Sequence, residues 1–158
     1  MKIHWLSPLY TNGASVEISV GINEGNEWFT RWGNKQPYLI NKSKKEVMML
    51  WPLLDEGYGG KYNLVFNLLE SRLKEKGLPI TLIQSFPFTY IALHAFNAST
   101  RQNKALEWLS NQEFTNELAA FSAGIIKDTK YSQEVRHLLK RSLKKWEKKN
   151  NVCMLQKS

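Results

Sequence analysis

The sequence predicts an α+β fold in which a small N-terminal antiparallel sheet precedes a mainly helical C-terminal half. Three observations carry this: strict apolar alternation in "VEISVGI", a switch to helical periodicity after Ser43, and helical patterning throughout the chain beyond Ser99. In "VEISVGI", Val16, Ile18, Val20 and Ile22 alternate with Glu17, Ser19 and Gly21, so four apolar side chains share one face. "NEGN", residues 23–26, is turn chemistry, and "EWFTRW" resumes with strand-favouring aromatics. A β-hairpin is expected over about 15–32, with "KIHWL" before it and "PYLI" after it as flanking strands.

"SKKE" at 43–46 reads as a capping box, the Ser43 hydroxyl accepting a backbone N–H while Glu46 reaches back. A helix should run from Lys44 to about Trp51, where Pro52 ends or kinks it. A second helix is expected from about Tyr62 to Lys76. Its Val65, Leu68, Leu69 and Leu73 lie on one face, and Gly77 and Pro79 stop it. Ile80–Ile83 suits a buried strand and Phe88–Phe96 an apolar helix. A helix over about 101–109 follows. A second capping box, "SNQE" at 110–113, is expected to open a helix to about Ile126, and the last helix starts near Ser132. Residues 1–150 are read as a single domain, with 151–158 as a short tail.

Composition bounds the function classes. At 158 residues, with 42% hydrophobic and 12% aromatic content, the chain can bury a core without disulfides or metals. Cys153 is the lone cysteine, which excludes an intramolecular disulfide and a multi-cysteine zinc site. No apolar run approaches the roughly 18–20 residues of a membrane span, so no transmembrane segment is expected. "MKIHWLSPLYTNG" does not have the pattern of a signal peptide, and a cytoplasmic location is the expectation.

The formal net charge of +8 is concentrated at one end. Residues 127–158 hold ten Lys or Arg against Asp128, Glu134 and Glu147, whereas the first 126 residues are nearly balanced. "RHLLKRSLKKWEKK", residues 136–149, accounts for most of the excess. On a helix Val135, Leu138, Leu139, Ser142 and Trp146 form a docking stripe. Arg136, Lys140, Lys144 and Lys148 form an i, i+4 ladder, and Arg141 and Lys145 widen it. These six cations are the candidate nucleic-acid contacts. Each one that neutralises a phosphate releases condensed counterions, giving salt-sensitive affinity that does not depend on sequence. Lysine suits that role as a point charge, whereas base readout favours arginine. The same pattern fits a solvated face, an anionic membrane surface or an acidic protein surface.

Other constellations carry less. "GYGGK", residues 57–61, superficially looks like a phosphate-cradling loop but lacks the preceding strand and the Ser or Thr after the lysine. "ELAAFSAGIIKDTKYSQEVRHLL" meets only half of a helix-turn-helix pattern, because later core offsets fall on Lys130 and Gln133. His4, His94 and His137 are scattered, and His94 reads as a hydrogen-bonded core residue rather than a ligand. Asp55 and Glu56 are adjacent, a common arrangement that says little about acid–base chemistry. Trp28, Arg31, Trp32 and Lys35 place rings and cations on the hairpin. They are possible auxiliary stacking residues, against the simpler reading that the two tryptophans continue the core face. No cofactor or metal is implied, and no catalytic motif is present. The leading expectation is a small basic non-enzymatic protein that contacts DNA or RNA phosphates through its C-terminal helix. The alternative is an adaptor or inhibitor docking an acidic protein surface, and an enzyme whose site assembles only in the fold stands third.

Overall fold

Alternation in the N-terminal forty residues builds a four-stranded antiparallel meander in the order β1 (Ile3–Trp5), β2 (Ile18–Asn23), β3 (Trp28–Trp32) and β4 (Tyr38–Leu39). The structure is a computed structural model that describes residues 2–9, 17–40, 44–55 and 60–154. Val16 of the expected strand and Ser43 of the first capping box lie outside the described residues. Asn23 makes the turn between β2 and β3, its Oδ1 accepting the N–H groups of Gly25 (3.0 Å) and Glu27 (2.9 Å).

Register sorts the sheet into two faces. Ile18 pairs with Trp32, Val20 with Thr30 and Ile22 with Trp28, and Ile18, Val20, Ile22 and Trp28 all enter the core. The expectation of a strand buried on one face is too simple, because Ser19, Gly21 and Asn23 are buried as well. Trp5 and Ile3 of β1 close over Gly21, where an added Cβ would lie 2.7 Å from Ile3 Cγ2 and 2.8 Å from Trp5 Cε3.

The helical half follows in chain order. α1 (Lys44–Val47) passes directly into a 3-10 helix over Met48–Leu54. Pro52 does not stop it, since the 3-10 turn runs on and the Pro52 carbonyl accepts the N–H of Asp55. α2 (Tyr62–Lys76) buries Val65, Leu69 and Leu73 and ends at Gly77, whose φ of 75° is the left-handed conformation a side chain resists.

Ile80–Ile83 is not a strand. It belongs to a 3-10 helix over Ile80–Ser85 that buries only Ile83. Local bonds from Leu82 N–H to the Pro79 carbonyl and from Phe86 N–H to the Ile83 carbonyl satisfy its backbone without a sheet partner.

α3 (Phe88–Asn97) and α4 (Gln102–Ser110) appear where expected, and α5 spans Asn116–Ile126. Thr115 rather than Ser110 caps α5, its Oγ1 accepting the N–H of Leu118 at 3.1 Å. "SNQE" instead finishes α4. Ser110 Oγ and Asn111 Nδ2 both donate to the Glu107 carbonyl, and Gln112 Nε2 donates to that of Trp108. α6 (Gln133–Asn150) closes the helical half.

One core cluster joins both halves, from Leu6 to Leu143. Its aromatic spine starts on the sheet, where Trp28 meets Phe86 edge-on at 5.1 Å. Phe86 meets Phe88 at 4.8 Å, and Phe88 meets Tyr62 at 5.1 Å and Trp108 at 5.9 Å. Trp108 is fully buried, and its indole N–H donates to the Gly60 carbonyl at 2.9 Å.

Gly21→Ala is expected to lift β1 from β2 and to cost about 1–3 kcal/mol through overpacking. Denaturant unfolding reads this as a lower midpoint at constant m-value. An unchanged midpoint would show that β1 is free to yield.

Candidate nucleic-acid interface

α6 is defined at both ends by its sequence. The Ser132 hydroxyl accepts the N–H of Val135, and Asn151 turns left-handed with φ 53°, its N–H returning to the Glu147 carbonyl. Val135, Leu139 and Leu143 are buried, with Leu138, Ser142 and Trp146 half-buried beside them. Leu143 is fully buried and belongs to the docking stripe, one turn beyond Leu139, although it was absent from the expected set. The stripe rests on α4 and α5. A polar tether fixes the position further, Ser142 Oγ donating to the Ser110 carbonyl at 2.6 Å.

The opposite side is cationic. Lys140, Arg141, Lys144, Lys145 and Lys148 are exposed, and among the described residues none of them forms an ion pair. Arg136 stands apart from them. It is half-buried, and its Nε–H donates to the Tyr131 carbonyl at 3.1 Å, which ties the guanidinium to the start of its own helix.

Lys149, missing from the expected set, extends Arg141–Lys145 by one turn and sits 3.5 Å from Glu113. That i, i+4 continuation is legible in the sequence, four residues beyond Lys145. At about 100° per residue, Lys140 through Lys149 cover an arc of roughly 180°.

The surface here is grooved rather than flat. His137, Lys140, Arg141 and Lys144 line a depression of about 440 Å³. Arg141 borders a second of about 260 Å³, shared with Ser110, Asn111 and Lys145. A third of about 560 Å³ lies beyond, where Lys145, Trp146 and Lys149 face the end of α4.

The four hairpin candidates do not share one surface. Trp28 is 3% exposed, and its indole N–H donates to Ser85 Oγ at 2.9 Å. Trp32 is half-buried and donates to the Met49 carbonyl at 2.8 Å. Arg31 lies on the other face of the sheet, its guanidinium 4.2 Å from the Trp5 ring. Lys35 is exposed and borders an apolar depression with Trp32, Tyr38 and Met48. Period-two geometry separates Arg31 from Trp28 and Trp32, which lie an odd number of residues away and so on the opposite face.

Of the remaining candidates, Gly57, Tyr58 and Gly59 lie outside the described residues, as does Glu56. Gly60 serves Trp108, and the α2 N-terminus faces the chain's own Glu107, whose Oε2 accepts the Tyr62 N–H at 3.4 Å. Asp55 is held by Arg101 through bonds of 2.8 and 3.0 Å, a structural pairing. His94 is half-buried rather than in the core, and its Nδ1 accepts the Trp51 indole N–H at 3.0 Å under a tilted ring stack. α5 and α6 are joined by residues 127–132, longer than the turn of a helix-turn-helix. Among the described residues no group of three His, Cys, Asp or Glu side chains could hold a metal, and no helix is long and apolar enough to cross a membrane.

Burial raises the Glu107 carboxyl above the ordinary glutamate value, outweighing the Tyr62 N–H and the nearby Lys61 and Lys104, which lower it. A raised acid holds its proton more tightly in the folded state. Its stabilising contribution is therefore complete below the ordinary glutamate range and is lost as pH rises through the raised value. Glu107→Gln keeps an acceptor for Tyr62 and removes the desolvated charge. Unfolding followed from pH 4 to 7 should show a flatter profile for this variant, with stability at pH 7 no lower than that of the parent.

Comparison with protein-family models, curated proteins and solved structures finds no match, so the function is read from the chemistry of the α6 face.

Proposed function

We propose that the chain binds nucleic acid through phosphate contacts made by the exposed cations of α6. The observation that carries this reading is the set Lys140, Arg141, Lys144, Lys145 and Lys148. Five exposed cations without carboxylate partners among the described residues sit on a helix anchored by Val135, Leu139 and Leu143. Like charges at i, i+4 disfavour a helix by a few tenths of a kcal/mol per pair, and only Lys148, in the last turn, gains from the helix dipole, so the other four do not serve the stability of α6. A polyanion would relieve that repulsion and release counterions. Four of the five are lysines, which favours phosphate tracking over base readout.

An acidic protein surface is the second reading of the same face. It is favoured by one separate observation, the apolar depression of about 290 Å³ beside Trp32, with Tyr38 37% and Met48 47% exposed.

Fluorescence anisotropy with labelled DNA and RNA across a salt series tests the proposal. Expected is micromolar or tighter affinity at low salt, falling with a log–log slope of about −0.9 per phosphate neutralised on duplex DNA. Combined Lys140→Glu, Lys144→Glu and Lys148→Glu should flatten that slope by roughly 2–3 and leave the fold intact, since all three side chains are solvated. Absence of binding at low salt overturns the reading and directs attention to an acidic protein partner.

A further inference from the structure

The three depressions along α6 adjoin one another. Arg141 borders the first two, while Lys145, Ser142, Ser110 and Asn111 border the last two. Together they make a trough from His137 to Asn150, about 20 Å at 1.5 Å per residue. Its cationic wall is Arg141, Lys145 and Lys149, and it widens at the end where Trp146 lies. Trp146 differs from most tryptophans of the chain. Trp28, Trp32, Trp51 and Trp108 each donate their indole N–H to an acceptor, whereas that of Trp146 meets none among the described residues. Trp146 is also only half-buried, lining the recess beside the amides of Asn111, Gln112 and Asn150. Asn111 and Asn150 direct their nitrogens to the Glu107 and Trp146 carbonyls, which leaves each Oδ1 able to accept. At the rim Lys149 and Glu113 pair at 3.5 Å with both side chains largely in water, so the pair opens at little cost.

We infer that this recess seats an unpaired nucleobase against Trp146, so that the preferred ligand is single-stranded nucleic acid. The inference rests on the phosphate-binding reading above and narrows its substrate class. A recess of about 560 Å³ lies within the range that holds a nucleotide-sized ligand. In a duplex the bases are stacked and paired, and only phosphates reach α6. In a single strand the backbone follows Arg141 and Lys145 while one base turns into the recess, its edge meeting amide acceptors. Aromatic stacking tolerates every base, which matches the absence of an arginine-rich reading surface.

The test compares three labelled 12-mers on the unmodified protein: an oligothymidine strand, an abasic strand with the same phosphates, and a duplex. Each is run as DNA, and the first and third also as RNA. The base-bearing strand should bind roughly tenfold more tightly than the abasic one, and more tightly than the duplex at equal salt. Trp146→Leu should erase the preference for bases while keeping the salt slope, and Trp146→Phe should retain most of it. The unmodified-protein comparison stands even where Trp146→Leu unfolds, as circular dichroism would reveal. Equal binding of base-bearing and abasic strands with a steep salt slope leaves the phosphate reading in place and overturns the base subsite. A preference for bases that survives in a folded Trp146→Leu variant also overturns it. No binding to any strand removes both.

Discussion

Burial of Trp108 is the constraint on which the arrangement depends. A fully buried indole needs both an acceptor for its N–H and aromatic surface around it. The Gly60 carbonyl supplies the first, and Phe88 and Tyr62 supply the second, which brings α2, α3 and α4 to one point. Through Phe86 the same aromatic chain reaches Trp28 and so ties the sheet to the helices. Once α4 is placed, its C-terminal residue Ser110 receives Ser142, and the orientation of α6 about its own axis is set. Which lysines face water therefore follows from a core contact made on a different helix.

The electrostatics of α6 run against its local stability. Lys140, Lys144 and Lys148 repel one another, as do Arg141, Lys145 and Lys149, and among the described residues only Lys149 of these six pairs with a carboxylate, at a distance and exposure that give a weak pair. Burial of Val135, Leu139 and Leu143, each worth about 1.5–3 kcal/mol, outweighs that repulsion. Elsewhere among the described residues Arg72 pairs with Glu75, Lys74 with Glu70, Arg101 with Asp55 and Lys130 with Asp128. The unpaired cations of α6 follow one another along a single helix face, and Lys140, Arg141, Lys144 and Lys145 border grooves rather than a smooth convex surface.

Sequence reading erred where short apolar or polar runs allow several backbone solutions. Ile80–Ile83 has strand-like composition, but no neighbouring strand offers a ladder, and the segment satisfies itself with local bonds after Pro79. "SNQE" matches a capping box, yet the same side chains serve better by covering the carbonyls at the end of α4, and Thr115 begins α5 instead. Trp28 and Trp32 do continue the core face, Trp28 buried and Trp32 half-buried, because period two puts both on the face of Ile18 and Ile22.

What the sequence by itself determined is periodic: the meander, the span of α2, and a C-terminal helix with apolar and cationic sides. Those follow from backbone geometry, which repeats every two or 3.6 residues whatever surrounds it. The tertiary structure decided which element each face meets. It put Glu107 at the start of α2, turned Arg136 onto Tyr131, set Arg31 over Trp5 on the face away from Trp28 and Trp32, and set Trp146 beside the end of α4. Contacts of this kind join residues as far as 64 positions apart, as Arg72 and the Pro8 carbonyl are, and local periodicity carries no information about which distant surface will fill the space.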